Sequence, residues 1–256
     1  MDLNQIYLGD CLELMKEIPS SSVCLILTDP PWMVSEQVLL HRSVSPKYGK
    51  GWLATWDEFT SLEDYLAFTR NWVSQCFRVL KEGGSFISFF DLKKISYLAQ
   101  IVEDNRGKVR QFLHWVKTNA VPSYSMHTFA PGVETALWAT KGSKKYTFNT
   151  KLGYRENFIA TPIPHDKIHP AQKPAPVLKL WILYLSNPND VVLDPFCGSG
   201  IICSVAKQFN RQFIGIEKEE TYYQGALELV ERVTTDLFEG RIPEPAATAQ
   251  GALWEA

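Results

Sequence analysis

Three short segments of this 256-residue chain pair a hydrophobic run with residues able to do chemistry. The first runs Leu25-Ile26-Leu27-Thr28 into Asp29-Pro30-Pro31-Trp32. Two prolines remove two backbone donors and stiffen the turn, so a proline carbonyl points outward as an acceptor. Asp29 adds a carboxylate and Trp32 a flat stacking surface. Two acceptors beside an aromatic plate suit a planar ring bearing an amino group, and the same residues also suit a rigid turn with a buried Trp. The second segment, Val191-Val192-Leu193-Asp194-Pro195-Phe196-Cys197-Gly198-Ser199-Gly200, takes a strand through a small-residue turn into a helical pattern. Such a turn lets backbone approach a ligand and offers the free N–H groups of a helix start. It lacks both the full G-x-G-x-x-G spacing and the Lys of a phosphate loop, which fits a nucleoside ligand without phosphates. The third segment, Gln212-Phe213-Ile214-Gly215-Ile216-Glu217, places an acid at a strand end about 20 residues beyond the glycines, where ribose hydroxyls are held in nucleotide-binding α/β folds. An acid favoured by a helix dipole is the alternative there.

The elements that must position these residues follow an α/β rhythm. Candidate strands are Gln5–Leu8, Val23–Thr28, Ser85–Phe90, Gln111–Val116, Thr135–Ala139, Val191–Leu193 and Gln212–Ile216, mostly continuous apolar runs of the kind buried on both faces. Leu62, Tyr65, Leu66, Trp72, Val73, Cys76, Phe77 and Leu80 fall on one helical stripe, with Ser61 and Asp64 as a capped start and Gly83-Gly84 as a stop. Ile201 to Phe209 and Tyr222 to Val233 read as further helices. Two stretches break the rhythm, 33–60 and 141–167, each following a candidate strand, where binding loops are expected. The second holds Lys141, Lys144, Lys145, Lys151 and Arg155, with no acid from Lys141 to Arg155. A run like this is either a solvated face or a phosphate-binding patch.

Composition sets outer limits. A formal net charge of −2 gives no general attraction to nucleic acid, so phosphate contacts must be local. The five cysteines form no C-x-x-C pair, which points away from a zinc site or disulfide framework and toward a reducing cytoplasm. The N-terminal residues do not read as a signal peptide, and no run approaches the length of a membrane span. Residues 241–256, rich in Pro and Ala, read as a mobile tail on a single domain spanning 1–240.

Taken in order, the motifs resemble the amino-methyltransferases of DNA, which methylate N6 of adenine or N4 of cytosine. That family's tetrapeptide, Asp/Asn/Ser-Pro-Pro followed by an aromatic residue, is matched by Asp29 to Trp32. Its Asp-Pro-Phe-x-Gly-Ser-Gly turn is matched by Asp194 to Gly200, and His-Pro-x-Gln-Lys-Pro by His169 to Pro174. The resemblance covers roughly Gln5 to Val233, and the tetrapeptide precedes the glycine turn, as in the family's permuted β group. It implies a Rossmann-like S-adenosylmethionine-dependent methyltransferase fold with a mainly parallel, seven-stranded sheet. It also implies S-adenosyl-L-methionine as cofactor, held by Asp10, Cys11, Asp29, His169, Gln172, Lys173, Asp194, Phe196, Cys197, Gly198, Ser199, Gly200 and Glu217. No metal is needed. Where the family's cofactor helix often opens with two threonines, Ile201 and Ile202 stand here, removing two hydroxyls.

The chemistry implied is methylation of N6 of an adenine flipped out of double-stranded DNA, with Asp29, Pro30, Pro31 and Trp32 as the catalytic group. Asp29 and the Pro30 carbonyl each accept one N–H of the amine, localising its lone pair, while Trp32 stacks on the base. Lys141, Lys144, Lys145, Lys151 and Arg155 are then expected to bind DNA, with target recognition in 141–167 and help from the loop after Trp32. N4-cytosine and an RNA base are the alternative targets. Asp at the first tetrapeptide position points to adenine, because the cytosine enzymes favour Ser there. A cognate restriction endonuclease and a second copy of the chain are the expected partners.

Overall fold

Strands covered on both sides need apolar side chains on both faces, and Leu25, Ile26 and Leu27, all without solvent exposure, meet that need at the centre of the sheet. The structure is a computed structural model that describes residues 1–33, 59–121, 127–142, 145–165 and 172–234. In chain order its elements are β1 (Gln5–Leu8), α1 (Cys11–Leu14), β2 (Val23–Thr28), α2 (Leu62–Val79), β3 (Leu80–Phe90), α3 (Ile95–Asp104), β4 (Gly107–Lys117) and β5 (Val133–Lys141). They continue with β6 (Phe158–Thr161), α4 (Ala175–Leu185), β7 (Val191–Asp194), α5 (Ile201–Gln208), β8 (Gln212–Glu217) and α6 (Glu220–Arg232). Short 3-10 turns at Met15–Glu17 and Thr150–Leu152 complete the set.

The strands form one mixed sheet in the order β1-β8-β7-β2-β3-β5-β4-β6. Within it β5 runs antiparallel to β3 and β4, and every other pairing is parallel. Side chains alternate across the sheet. Leu25, Leu27, Ile87 and Phe89 pack with α4, α5 and α6. Ile26, Phe86 and Phe90 pack with α1, α2 and α3 on the other face. Adjacent strands β2 and β7 therefore lead into helices on opposite faces, and the crevice outside their carboxyl ends is the switch point where an open α/β sheet binds ligands.

All seven strands read from the sequence are present, and an eighth, β6, makes the sheet eight-stranded rather than seven-stranded. β6 lies inside the stretch read as a loop insertion. Its four residues alternate between exposed and half-buried on the sheet edge, so they lack the apolar run that marks the central strands. Gly83-Gly84 does not stop a helix. α2 ends at Val79, and both glycines lie within β3, where the pairing with β2 shifts from Val23↔Leu80 to Leu25↔Ser85. Gly83 has φ +75, and the Lys145 carbonyl packs where a side chain would be, so the bulge requires glycine. Ser61 caps α2 as expected, accepting from Asp64 N at 3.1 Å. The tail 241–256 lies outside the described residues.

The start of α5 packs tightly onto β8. A Cβ built at Gly215 would lie 2.8 Å from Cys197 Sγ and 2.9 Å from Cys203 Sγ. Gly215→Ala should cost about 1–3 kcal/mol of stability through overpacking. Part of the loss should return when Cys203 is also replaced by Ala. Thermal unfolding of the single and double variants checks this, and an unchanged melting temperature for Gly215→Ala would show that the sulfurs yield freely.

Candidate active site

The two motifs that straddle the switch point are joined by one buried hydrogen bond. Thr28 Oγ1, the last residue of β2, donates to Asp194 Oδ1 at the end of β7 over 2.7 Å. The same oxygen accepts from Phe196 N at 3.1 Å. Asp194 is 1% exposed, and burial pushes its carboxyl up to about 7 despite these two donors.

Beyond Asp194 the turn is shaped by two left-handed glycines, Gly198 at φ 52 and Gly200 at φ 77. A Cβ at Gly200 would meet Ala226 of α6 at 2.8 Å, so close helix approach as well as φ demands glycine. No side chain caps α5, which leaves its first N–H groups directed at the crevice. Ser199 is buried, Cys197 and Cys203 lie with sulfurs 3.7 Å apart, and Phe196 packs edge-on against Trp72 of α2 at 5.4 Å. Ile201 and Ile202, which stand where the family often has threonines, pack into the core.

Glu217 closes the turn from β8. Its Oε2 accepts from Gly198 N at 2.7 Å, and its Oε1 accepts from Lys218 N and Glu219 N, each at 2.8 Å. Burial raises this carboxyl, and the three backbone donors oppose the rise. Of roughly four lone-pair positions on a carboxylate three are taken, so Glu217 braces the turn as well as facing the crevice. Asp10 caps α1, accepting from Leu12 N at 2.8 Å, and lies 3.7 Å from Lys218 Nζ. Cys11 is buried behind it, its thiol pushed up to about 12 chiefly by burial.

Across the crevice, the tetrapeptide is held on several sides. Trp32 Nε1 donates to Asp29 Oδ1 at 3.1 Å. Tyr65 Oη donates to the Pro31 carbonyl at 3.0 Å, and Lys94 Nζ to the Trp32 carbonyl at 3.2 Å. Among the described residues no hydrogen bond falls on the Pro30 carbonyl. Asp29 Oδ2 lies 2.5 Å from Lys173 Nζ, and the same ammonium lies 3.0 Å from Glu134 Oε2. Glu134 Oε1 in turn pairs with Lys117 at 2.8 Å. Burial opposes the charge on Lys173, yet Asp29 and Glu134 hold its ammonium above the usual range. Glu134 is likewise held low by Lys173 and Lys117 against the effect of burial. Burial raises the Asp29 carboxyl, with Lys173 pulling it back.

The structure thus brings together Asp29, Trp32, Lys173, Asp194, the glycine turn and Glu217. Gln172 is half-buried just before α4 at the same end, and His169 lies outside the described residues. Lys173, expected at the cofactor along with Asp29, has its ammonium on the Asp29 carboxylate. Glu134, Lys117 and Lys94 were not read from the sequence, and Tyr65 was read only as a member of the helical stripe of α2. Glu134 and Lys117 each sit one residue outside a candidate strand, the same strand-end signal that marks Asp29 and Glu217.

The basic run is placed differently. β5 is antiparallel, so its carboxyl end, and the chain beyond it, lie at the opposite end of the sheet from Asp29. There Lys141 Nζ donates to the Leu80 carbonyl at 2.8 Å, and Lys145 packs on Gly83. Exposed Lys151 follows, in the turn that Tyr184 Oη anchors through the carbonyls of Leu152 and Gly153 at 3.0 and 2.9 Å. Arg155 is half-buried, and Lys144 lies outside the described residues, as does nearly all of 33–60. The rule that binding loops follow strands applies at the carboxyl ends of the parallel strands, and the direction of β5 was not visible in its sequence.

Comparison with known proteins agrees with this geometry. The chain matches the DNA methylase family of the N6- and N4-type over residues 23–157 and 153–228. It is 35% identical over 238 residues to the Type II methyltransferase M.HinfI of Haemophilus influenzae, covering 86% of this chain and 66% of that enzyme. It is 32% identical to the Type II methyltransferase M2.LlaDCHI of Lactococcus lactis subsp. cremoris, covering 84% of each. Among solved structures, that of M1.HpyAVI in complex with SAM superposes with a TM-score of 0.68 at 29% identity, over 88% of this chain and 98% of the other. The open sheet, the acid-ended strands around one crevice and these matches place the chain in the N6-adenine and N4-cytosine DNA methylase family.

Proposed function

We propose that the protein transfers a methyl group from S-adenosyl-L-methionine to N6 of an adenine flipped out of duplex DNA. The observation that carries this reading is the joined pair of strand ends, with the Thr28–Asp194 bond holding the Asp29 turn beside the glycine turn. The residues present fit the cofactor. The uncapped start of α5 and the left-handed glycines leave backbone free to approach a nucleoside, and the buried Asp194 carboxyl suits a cationic amino acid group. When bound, the cofactor supplies an electrophilic methyl on a sulfonium.

The chain's own part is positional and electrostatic. An exocyclic amine conjugated to a base is a poor nucleophile because its lone pair is delocalised. Asp29 and the Pro30 carbonyl, each accepting one N–H, favour the localised lone pair, and Trp32 offers a face for the base. Because Trp32 Nε1 donates to Asp29, the stacking surface and the acceptor are set in one fixed relation. Asp29 supports adenine as target, with N4-cytosine as the alternative inside the same family and an RNA base outside it. Duplex DNA must approach the carboxyl end of the sheet, where Lys93 and Lys218 are exposed. A restriction endonuclease reading the same sequence and a second copy of the chain belong to the same reading as partners.

Nucleoside analysis of treated, unmethylated DNA should show N6-methyladenine. Asp29→Ala should reduce its formation to background in a protein that still folds, with a lowered melting temperature because Lys173 loses an anion. N4-methylcytosine would keep the activity but overturn the assigned base, and a fully active Asp29→Ala protein would overturn the mechanism.

Asp194 makes stability depend on pH. Its carboxyl titrates near 7 in the folded chain against an ordinary 3.8, so the folded state holds the proton more tightly. The stabilisation is complete below 3.8 and lost as pH rises to about 7. Melting curves over this window should fall more steeply with pH for the parent than for Asp194→Asn, and parallel profiles would remove Asp194 as the cause.

Phosphate contacts release counterions, with a log–log salt slope of about −0.9 per contact. Because the described part of the basic run lies at the far end of the sheet from Asp29, we expect the phosphate contacts at the carboxyl end of the sheet. Replacing Lys93 and Lys218 together by Ala should make the slope shallower by roughly 1–2, whereas replacing Lys145 and Lys151 together should leave it unchanged. DNA titrations at several salt concentrations separate the two surfaces, and the reverse pattern would restore 141–155 as the DNA-binding segment.

A further inference from the structure

Both oxygens of Asp29 are engaged in the structure, Oδ1 by Trp32 Nε1 at 3.1 Å and Oδ2 by the Lys173 ammonium at 2.5 Å. The ammonium is 5% exposed and lies 5.0 Å from the Trp32 ring centre and 4.9 Å from that of Phe89. It therefore fills the aromatic-lined space in front of Oδ2, where an amine bound to Asp29 and stacked on Trp32 has to come. A buried ammonium cannot simply be displaced, because losing its anion without a replacement is strongly unfavourable.

The replacement is at hand. Glu134 Oε2 already lies in ion-pair contact with Lys173 Nζ at 3.0 Å and has no other hydrogen-bond partner among the described residues, while Oε1 is fixed by Lys117 at 2.8 Å. The order Lys117, Glu134, Lys173, Asp29 alternates in sign and sums to zero. A neutral amine can enter without disturbing that balance, provided the ammonium moves the short way to Glu134.

We propose that Glu134 is a positioning residue of the methyl-transfer site, receiving the Lys173 ammonium when the target amine takes Oδ2 of Asp29. The inference rests on Asp29 as the acceptor of that amine. Lys117, two positions along β4 from Trp115, the register partner of Glu134, keeps Glu134 ionised and aimed at Lys173. The other charged groups near Asp29 are Asp194 at the end of β7, with Glu217 beyond it on β8, and Lys94 of the α3 cap, which is paired with Asp91 at 2.5 Å. All four keep their place in the variants below.

Two substitutions should act in opposite directions. Glu134→Gln leaves Lys173 with Asp29 as its one anion among the described residues and removes a negative neighbour, so the Asp29 titration should move down. The single-turnover methylation rate should fall by about 10²-fold, since the ammonium no longer yields its place. Cofactor affinity should be unchanged. Lys117→Met draws Lys173 toward Glu134, and the Asp29 titration should move up.

Carboxyl 13C NMR of the protein without cofactor or DNA reads these midpoints, with the Asp29 signal assigned by its loss in Asp29→Asn. The two shifts read the charge coupling of Glu134 and Lys117 to Asp29, and the fall in single-turnover rate at unchanged cofactor affinity reads the hand-over. A parental midpoint in either folded variant, or a parental rate in Glu134→Gln, would overturn the proposal. If Glu134→Gln does not fold, the single-turnover rate of Lys117→Met decides: a rate at or above the parental one supports the hand-over, and a reduced rate refutes it. An active Asp29→Asn protein would instead refute Asp29 as acceptor, a failure distinguishable from an unshifted titration.

Discussion

The hydrogen bond from Thr28 to Asp194 joins two neighbouring strands whose helices leave in opposite directions. Without a tie at this point, the tetrapeptide after β2 and the glycine turn after β7 would each be set by their own loop. With it, both chemical segments refer to the same pair of strand ends. Asp194 extends the tie to the Phe196 amide, and the Phe196 ring carries it to Trp72 on α2. The bond lies at the one place where sheet topology opens a crevice, so architecture and site depend on the same contact.

The opposite wall of the crevice is built from charge. A surface pair such as Lys16–Glu13, with side chains 59% and 71% exposed, is worth about 0–1 kcal/mol at most. Lys173, Asp29, Glu134 and Lys117 are 5–19% exposed, and removing one member of such a buried set typically costs about 3–5 kcal/mol. A set of apolar residues would fill the same space at no electrostatic risk. The arrangement makes sense for a site that must keep a carboxylate acceptor ionised in a dry, aromatic setting. Trp32 and Phe89 supply faces for the ammonium.

Much of the site was legible because strand-end chemistry has a local signature. An apolar run ending in an acid marks Asp29, Asp194 and Glu217 without any knowledge of the fold, with Pro-Pro after the first and a glycine turn after the second. β6 was not legible, since its Phe158-Ile159-Ala160-Thr161 is short and lies on an exposed edge. Gly83-Gly84 read as a helix stop because a β-bulge and a helix terminus ask for the same residue, and only the partner strand tells them apart. Glu134 and Lys117 fell outside the reading because each lies one position beyond an apolar run, where a charge ordinarily means only solvent.

By itself the sequence determined the α/β class, the positions of seven strands, and which three strand ends carry acids. These are local properties, carried by periodicity and by residues that follow one another. Tertiary structure alone decided the direction of β5, and with it the placement of Lys141, Lys145 and Lys151 away from Asp29. It also decided that Lys173 meets Asp29 and Glu134, residues far from it and from one another along the chain. Strand direction and long-range ion pairing depend on how the chain closes on itself, and no local pattern of residues encodes that closure.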